Sequence, residues 1–130
     1  MAALALVAGT VGAGWWWRPR RIEVAGSSMT PALQPGDRLL VVRARRVAVG
    51  DVVALIDPRV PGRLLVKRVG ALGRSEVTVV GDNPTGSTDS RHFGPVPFSA
   101  LRGRAWYRYH PQERAGRLRR PVQGSSQSRR

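Results

Sequence analysis

The sequence predicts an all-β fold, a small and partly open barrel, and three observations carry that expectation. Between Ile22 and Tyr109 the apolar residues come in short β-type runs rather than at helical spacing. Those runs are divided by turn formers: Pro35-Gly36-Asp37, Gly50-Asp51, Pro58 to Gly62 and Gly81-Asp82-Asn83-Pro84. The only helix start in this stretch lies near Ser27–Pro31, and the chain leaves room there for a short turn at most. The 130 residues suffice for one domain and not two.

The expected elements follow in order. Strands are expected near Ile22–Ala25, Arg38–Arg43, Asp51–Ile56, Leu64–Val69, Glu76–Val80 and Leu101–Tyr109. Before them, residues 1–17 carry no charged side chain and end in Trp15, Trp16 and Trp17, followed by Arg18, Pro19, Arg20 and Arg21. Aromatic then basic residues are what a helix leaving a bilayer shows, so 1–17 reads as a short transmembrane anchor helix. A cleaved signal peptide fits less well, because the basic n-region is missing. After the strands, 112–130 hold six arginines with Ser and Gln, and this stretch reads as a disordered basic tail. The folded domain is thus expected over 22–111.

Composition narrows the chemistry. There is no cysteine, which excludes disulfides, zinc ribbons, iron–sulfur sites and thiol nucleophiles. With two histidines and no cysteine, a metal site is not expected, and no cofactor is called for. His92 adjoins Arg91 and His110 adjoins Pro111, so both read as surface histidines rather than triad members. The net charge of +14 suits a nucleic-acid or membrane-surface partner. A basic β-barrel that binds nucleic acid is the non-enzyme alternative. Against it, three of the eight aromatics lie in the anchor and no stacking stripe is visible, so no specific nucleic acid is expected. Of the 22 basic residues, 21 are arginine and one is Lys67. Lysine, unlike arginine, can lose its proton when buried.

Three segments could carry a reaction. Val24 to Asp37 runs from a strand into Gly26-Ser27-Ser28. Such a turn can present a hydroxyl and a free backbone N–H to one point, although Gly-Ser turns are also common as plain structure. Leu64 to Val69 places Leu65, Lys67 and Val69 on one strand face and Val66 and Arg68 on the other. An inward Lys67 would be a usable general base, whereas an outward one would be an ordinary edge lysine. Gly81 to Val96 is dense in short hydrogen-bonding side chains, with Asp89 and Arg91 spaced to pair.

Together these segments resemble the signal peptidase I family. The resemblance rests on Ser28-Met29-Thr30-Pro31 with Gly36-Asp37, on Lys67-Arg68, and on Gly81-Asp82-Asn83, Ser87, Asp89-Ser90-Arg91, Gly94 and Val96. It covers about Val24 to Val96. It implies a serine endopeptidase with a Ser–Lys dyad: Ser28 as nucleophile, Lys67 as base, and Ser87 orienting the Lys67 amine. Asp89 and Arg91 would form a supporting salt bridge. The Ser28 N–H would serve the oxyanion, and the position of a second donor in some relatives is Gly26 here. A precursor protein with an N-terminal signal or pro-segment would bind as an extended strand. Its small side chain would enter a pocket at Val24, Ala25, Gly26, Met29, Leu33, Leu65 and Val66.

The spacing is compact, with 38 residues between Ser28 and Lys67 and 19 between Lys67 and Ser87. Pro84 stands where larger bacterial members carry a basic residue. The chain therefore looks like the short branch that holds the mitochondrial inner-membrane proteases and the maturation proteases of nickel-type superoxide dismutase. A single-pass protein of a bacterial cytoplasmic membrane, in contact with membrane lipid, is expected. The basic flank at Arg18–Arg21 would put the domain inside, which would suit a dedicated maturation protease better; a general signal peptidase would work outside.

Overall fold

The computed structural model describes residues 19–85 and 87–119. The expected anchor at 1–17 lies outside the described residues, as does 120–130. Among the described residues no helix is long and apolar enough to cross a membrane.

Eight strands form one antiparallel, curled sheet: β1 (Arg20–Glu23), β2 (Arg38–Val42), β3 (Val52–Ile56), β4 (Leu64–Leu72), β5 (Glu76–Val80), β6 (Val96–Pro97), β7 (Leu101–His110) and β8 (Gly116–Arg117). Their order is β1-β2-β7-β3-β4-β5-β6, with β8 also paired to β7. The all-β expectation holds. All six expected strands keep their places to within three residues at either end. The first runs Arg20–Glu23 rather than Ile22–Ala25, because Val24 turns inward and caps the core. The helix start at Ser27–Pro31 yields only a turn, closed by Leu33 N–H donating to Met29 O at 2.8 Å. Among the described residues the only α-helical turn is α1 (Ser90–Phe93), where Asp89 caps the backbone N–H of Arg91.

Burial on both sheet faces explains the continuous apolar run of β3. Val52 and Ala54 point into one cluster with Val24, Met29, Leu33, Leu39, Val41 and Ala105. Val53 and Leu55 point into a second with Val69, Val77, Val79 and Val96. Strand alternation thus splits one strand between two cores. Truncating Leu55 to Ala would cost about 2–5 kcal/mol, since the site is fully enclosed.

Residues 112–119, expected to belong to the basic tail, include a 3₁₀ turn at Gln112–Arg114 and the short strand β8. Leu118 packs on the first cluster, and Arg114 pairs with buried Asp37. The pairing of β8 with β7, one apolar contact and one buried carboxylate hold this stretch, and an arginine count alone reveals none of them.

Candidate active site

Lys67 reaches the site through strand register. On β4 it faces Val53 of β3, so it shares the side of the sheet that carries the second cluster. Arg68 pairs with Val80 on β5, which brings Lys67 level with the turn that begins at Gly81. Its side chain is 3 % exposed. Burial lowers its pKa below the ordinary lysine value. Asp89 acts against that shift, while the positive charges of Arg59, Arg91 and Arg63 add to it.

A chain of polar contacts leads away from the amine. Lys67 Nζ donates to Ser87 Oγ at 3.2 Å, and Ser87 Oγ donates to Asp89 Oδ2 at 2.8 Å. Asp89 is fully buried. It also accepts from the Gly81 N–H at 2.7 Å and from Arg91 Nε and Nη2 at 2.9 and 2.5 Å. Burial alone would raise the Asp89 pKa; these donors outweigh it and hold the carboxyl well below the usual range. An ionised carboxylate only accepts. The single Ser87 proton is therefore committed to Asp89, and Ser87 can only accept from Lys67. The lone pair of a neutral Lys67 is left unused by this chain.

Ser28 lies in the turn after Gly26, whose φ of 77° is open to glycine and strained for other residues. It is half-buried. Among the described residues its hydroxyl makes no hydrogen bond to Lys67, whose amine donates to Ser87. The Ser28 turn is in contact with the turn that begins at Gly81. Asn83 N–H donates to Ser28 O at 2.9 Å. Asn83 Nδ2 donates to Ser27 O at 3.2 Å and to Thr30 Oγ1 at 3.3 Å. A Cβ on Gly81 would lie 2.0 Å from Ser87 Oγ and 2.7 Å from Ser28 O. Gly81 is thus the point where the turn of Ser28 and the Lys67–Ser87 chain meet, and only a residue without a side chain fits.

The seven expected pocket residues do not share one wall. Val24, Met29, Leu33 and Val66 belong to the first cluster. Leu65 lies on the opposite face of β4, with Lys67, against the second cluster. Ala25 and Gly26 are exposed beside Ser28. Sequence reading quoted Asn83, Arg68 and Asp82 within motifs and gave them no part to play. Arg68 Nε and Nη2 each meet an Asp82 carboxylate oxygen at 2.8 Å, and its Nη1 reaches Gly50 O at 2.7 Å. That fork ties the lysine strand to the turn carrying Gly81 and Asn83. The signal for it was the Lys67-Arg68 adjacency, which puts Arg68 on the strand face opposite Lys67. No cluster among the described residues could hold a metal.

Comparison with known proteins gives the family. The family model described as "Signal peptidase, peptidase S26" matches residues 1–80 and 73–110. The mitochondrial ATP-independent inner membrane protease subunit 1a of Arabidopsis thaliana is 38% identical over 124 residues, spanning 75% of this chain and 74% of its own length. The mitochondrial inner membrane protease subunit 2 of Mus musculus is 36% identical over 122 residues, spanning 74% and 70%. A mitochondrial inner membrane protease subunit 1 of Xenopus tropicalis is 31% identical over 127 residues, spanning 79% and 76%. With the family match running through all three motif segments, the chain belongs to the signal peptidase family of peptidases, S26.

Proposed function

We propose that this chain is a membrane-associated serine endopeptidase that removes N-terminal signal or pro-segments with a Ser28–Lys67 dyad. The observation that supports it most is the buried Lys67–Ser87–Asp89 chain set against the turn of Ser28 at Gly81. Burial lowers the pKa of Lys67, and Ser87 accepts from its amine, which supports a role as general base.

In this reading Ser28 Oγ attacks the scissile carbonyl carbon and its proton passes to Lys67 Nζ. The negative oxygen of the tetrahedral intermediate is met by the Ser28 N–H. The C–N bond then breaks, and Lys67 returns the proton to the departing amine. Water attacks the acyl-serine, again giving its proton to Lys67, and Ser28 is released as the hydroxyl. Asp89 and Arg91 touch no reacting atom; they hold Ser87. The wall formed by Val24, Met29, Leu33 and Val66, with Ala25 and Gly26 at the lip, takes the small substrate side chain, while Leu65 supports the lysine side. Anchoring through 1–17 would keep the site beside the bilayer where precursors emerge, as the inner-membrane proteases among its relatives suggest.

A second reading, a dedicated maturation protease for a nickel-type superoxide dismutase precursor, draws on the basic flank at Arg18–Arg21. Both are tested by intact mass on two precursors incubated with detergent-solubilised protein beside a Ser28→Ala control. One precursor carries a secretory signal ending in Ala-x-Ala; the other is the superoxide dismutase with its extension. Serine-dependent trimming of the first supports a general signal peptidase, and trimming of only the second supports the dedicated enzyme. Trimming that persists in Ser28→Ala or in Lys67→Arg overturns the dyad.

A further inference from the structure

Residues 24–37 form a loop with joined ends. Val24 N–H donates to Asp37 O at 2.8 Å, and Gly36 N–H donates to Val24 O at 2.8 Å. Ser28 sits in the far half of that loop, where Asn83 grips it. The base is gripped as well, by a group of residues distant in sequence. Asp37 is fully buried and accepts from Gln34 N–H at 2.9 Å, from Arg108 Nη1 at 3.2 Å and from Arg114 Nη2. The same Arg108 Nη1 donates to Ala32 O at 2.9 Å, and Arg108 Nε donates to Arg114 O at 2.6 Å. Arg108 lies on β7, and Arg114 on the 3₁₀ turn that follows it.

Two guanidinium groups thus converge on one carboxylate at the foot of the serine loop, and one of them also holds the carbonyl of Ala32. The arginines that meet Asp57 and Asp89 come from their own turns, whereas those that meet Asp37 come from β7 and the turn after it. Arg114 also lies past residue 110, where the family match ends. We propose that Arg108 and Arg114 are positioning residues for Ser28: through Asp37 and Ala32 they brace the base of the 24–37 loop and so set where its far half presents the hydroxyl. The proposal rests on the reading of Ser28 as nucleophile. Among the described residues, Asp37 accepts side-chain hydrogen bonds from Gln34 N–H, Arg108 and Arg114.

The test compares the full chain with Arg114→Ala, Arg114→Lys, Arg108→Ala and Ser28→Ala. Precursor cleavage is read as kcat and KM separately, and amide exchange is read over 27–34. Arg114→Ala is expected to fold, because its side chain is nearly half exposed and its removal empties no core. It is expected to lower kcat about 10-fold with KM nearly unchanged, and to speed exchange at 27–34, as a shift of the nucleophile by a fraction of an ångström would. Arg114→Lys should recover part of kcat, and Arg108→Ala should exceed Arg114→Ala because it frees Ala32 too. If Ser28→Ala is inactive while Arg114→Ala keeps both wild-type kcat and wild-type exchange, the brace is wrong and the nucleophile reading stands. A rise in KM at constant kcat would also overturn it, as would an equal loss in Arg114→Lys and Arg114→Ala. Cleavage that survives Ser28→Ala overturns both.

Discussion

Asp57 and Asp89 are two versions of one local device with different outcomes. Each begins an Asp-x-Arg triplet, Asp57-Pro58-Arg59 and Asp89-Ser90-Arg91, and each carboxylate is almost wholly buried. Each accepts the backbone N–H two residues on, at 2.9 and 3.0 Å, and is forked by the guanidinium of that same residue. Asp57 goes no further than Arg63 across its own hairpin, at 3.9 Å. Asp89 reaches out of its turn to Gly81 N–H and Ser87, and through Ser87 to Lys67. A buried Asp–Arg pair is therefore not a functional sign by itself; what counts is the contact beyond the pair.

The sharpest way to break this comparison removes the end of the longer chain. Lys67→Met is expected to abolish cleavage, a loss of at least about 1,000-fold, and to raise the melting temperature at neutral pH. The sign follows from linkage. Lys67 has its pKa lowered on folding, so in the folded state it resists a proton that the unfolded chain binds up to 10.5. The native protein bears that cost at neutral pH and is relieved as pH rises towards 10.5; Met never bears it. A melting temperature that falls would mean that Lys67 is not held at the expense of stability.

Next in size is the pair Asp89→Asn and Asp57→Asn. The first should lower kcat about 100-fold, because Asn can donate to Ser87 and turn its proton towards Lys67. The second should cost about 1–2 kcal/mol of stability in chemical denaturation and leave kcat within about threefold. Equal kcat losses would erase the distinction drawn between the two turns.

Glycines beside the two carboxylates give a third contrast. Gly81→Ala places a methyl against Ser87 and Ser28 and should lower both kcat and stability, the latter by about 1–3 kcal/mol. Gly62→Ala meets open space but must adopt φ near 79°, so it should cost about 1–2 kcal/mol without a kcat effect. Steady-state kinetics beside denaturant melts would separate them.

The smallest effects are electrostatic. Asp37, Asp57 and Asp89 all have pKa values lowered on folding, so each stabilises the protein above the unfolded value of 3.8 and loses that contribution as pH falls below it. Acid melts should therefore show stability nearly flat down to about pH 4 and falling steeply beneath. In the rate profile the acid limb reports Lys67. Arg59→Ala removes one of the charges that depress Lys67 and should move that limb slightly to higher pH. Added salt should shrink the shift, because Arg59 is 45 % exposed.

Much of the fold was legible because its signals are local. The alternation in Leu64–Val69 placed Lys67 with Leu65 and Val69 correctly, and the turn formers bounded β2 to β5 closely. The two-residue strands β6 and β8 were not legible, because a pair that short has no period. Neither was α1, a single turn that depends on the Asp89 cap rather than on apolar spacing. The Asn83 grip on Ser27 and Ser28, and the Arg108–Asp37–Arg114 brace, join residues more than fifty positions apart. No spacing rule reaches that far.

What the sequence determined unaided is therefore whatever the backbone settles within a few residues: strand faces, the glycine turn before Ser28, and the capacity of each Asp-x-Arg triplet to pair with itself. Only tertiary structure decided which triplet would meet the lone lysine. That choice was made by the register of β4 on β5, which brings Lys67 level with Gly81, and by the close approach at Gly81, which admits Ser87 and the Ser28 carbonyl to the same space. Register is a cooperative property of the whole sheet, set by burying two apolar faces at once, and no single residue in the triplet carries it.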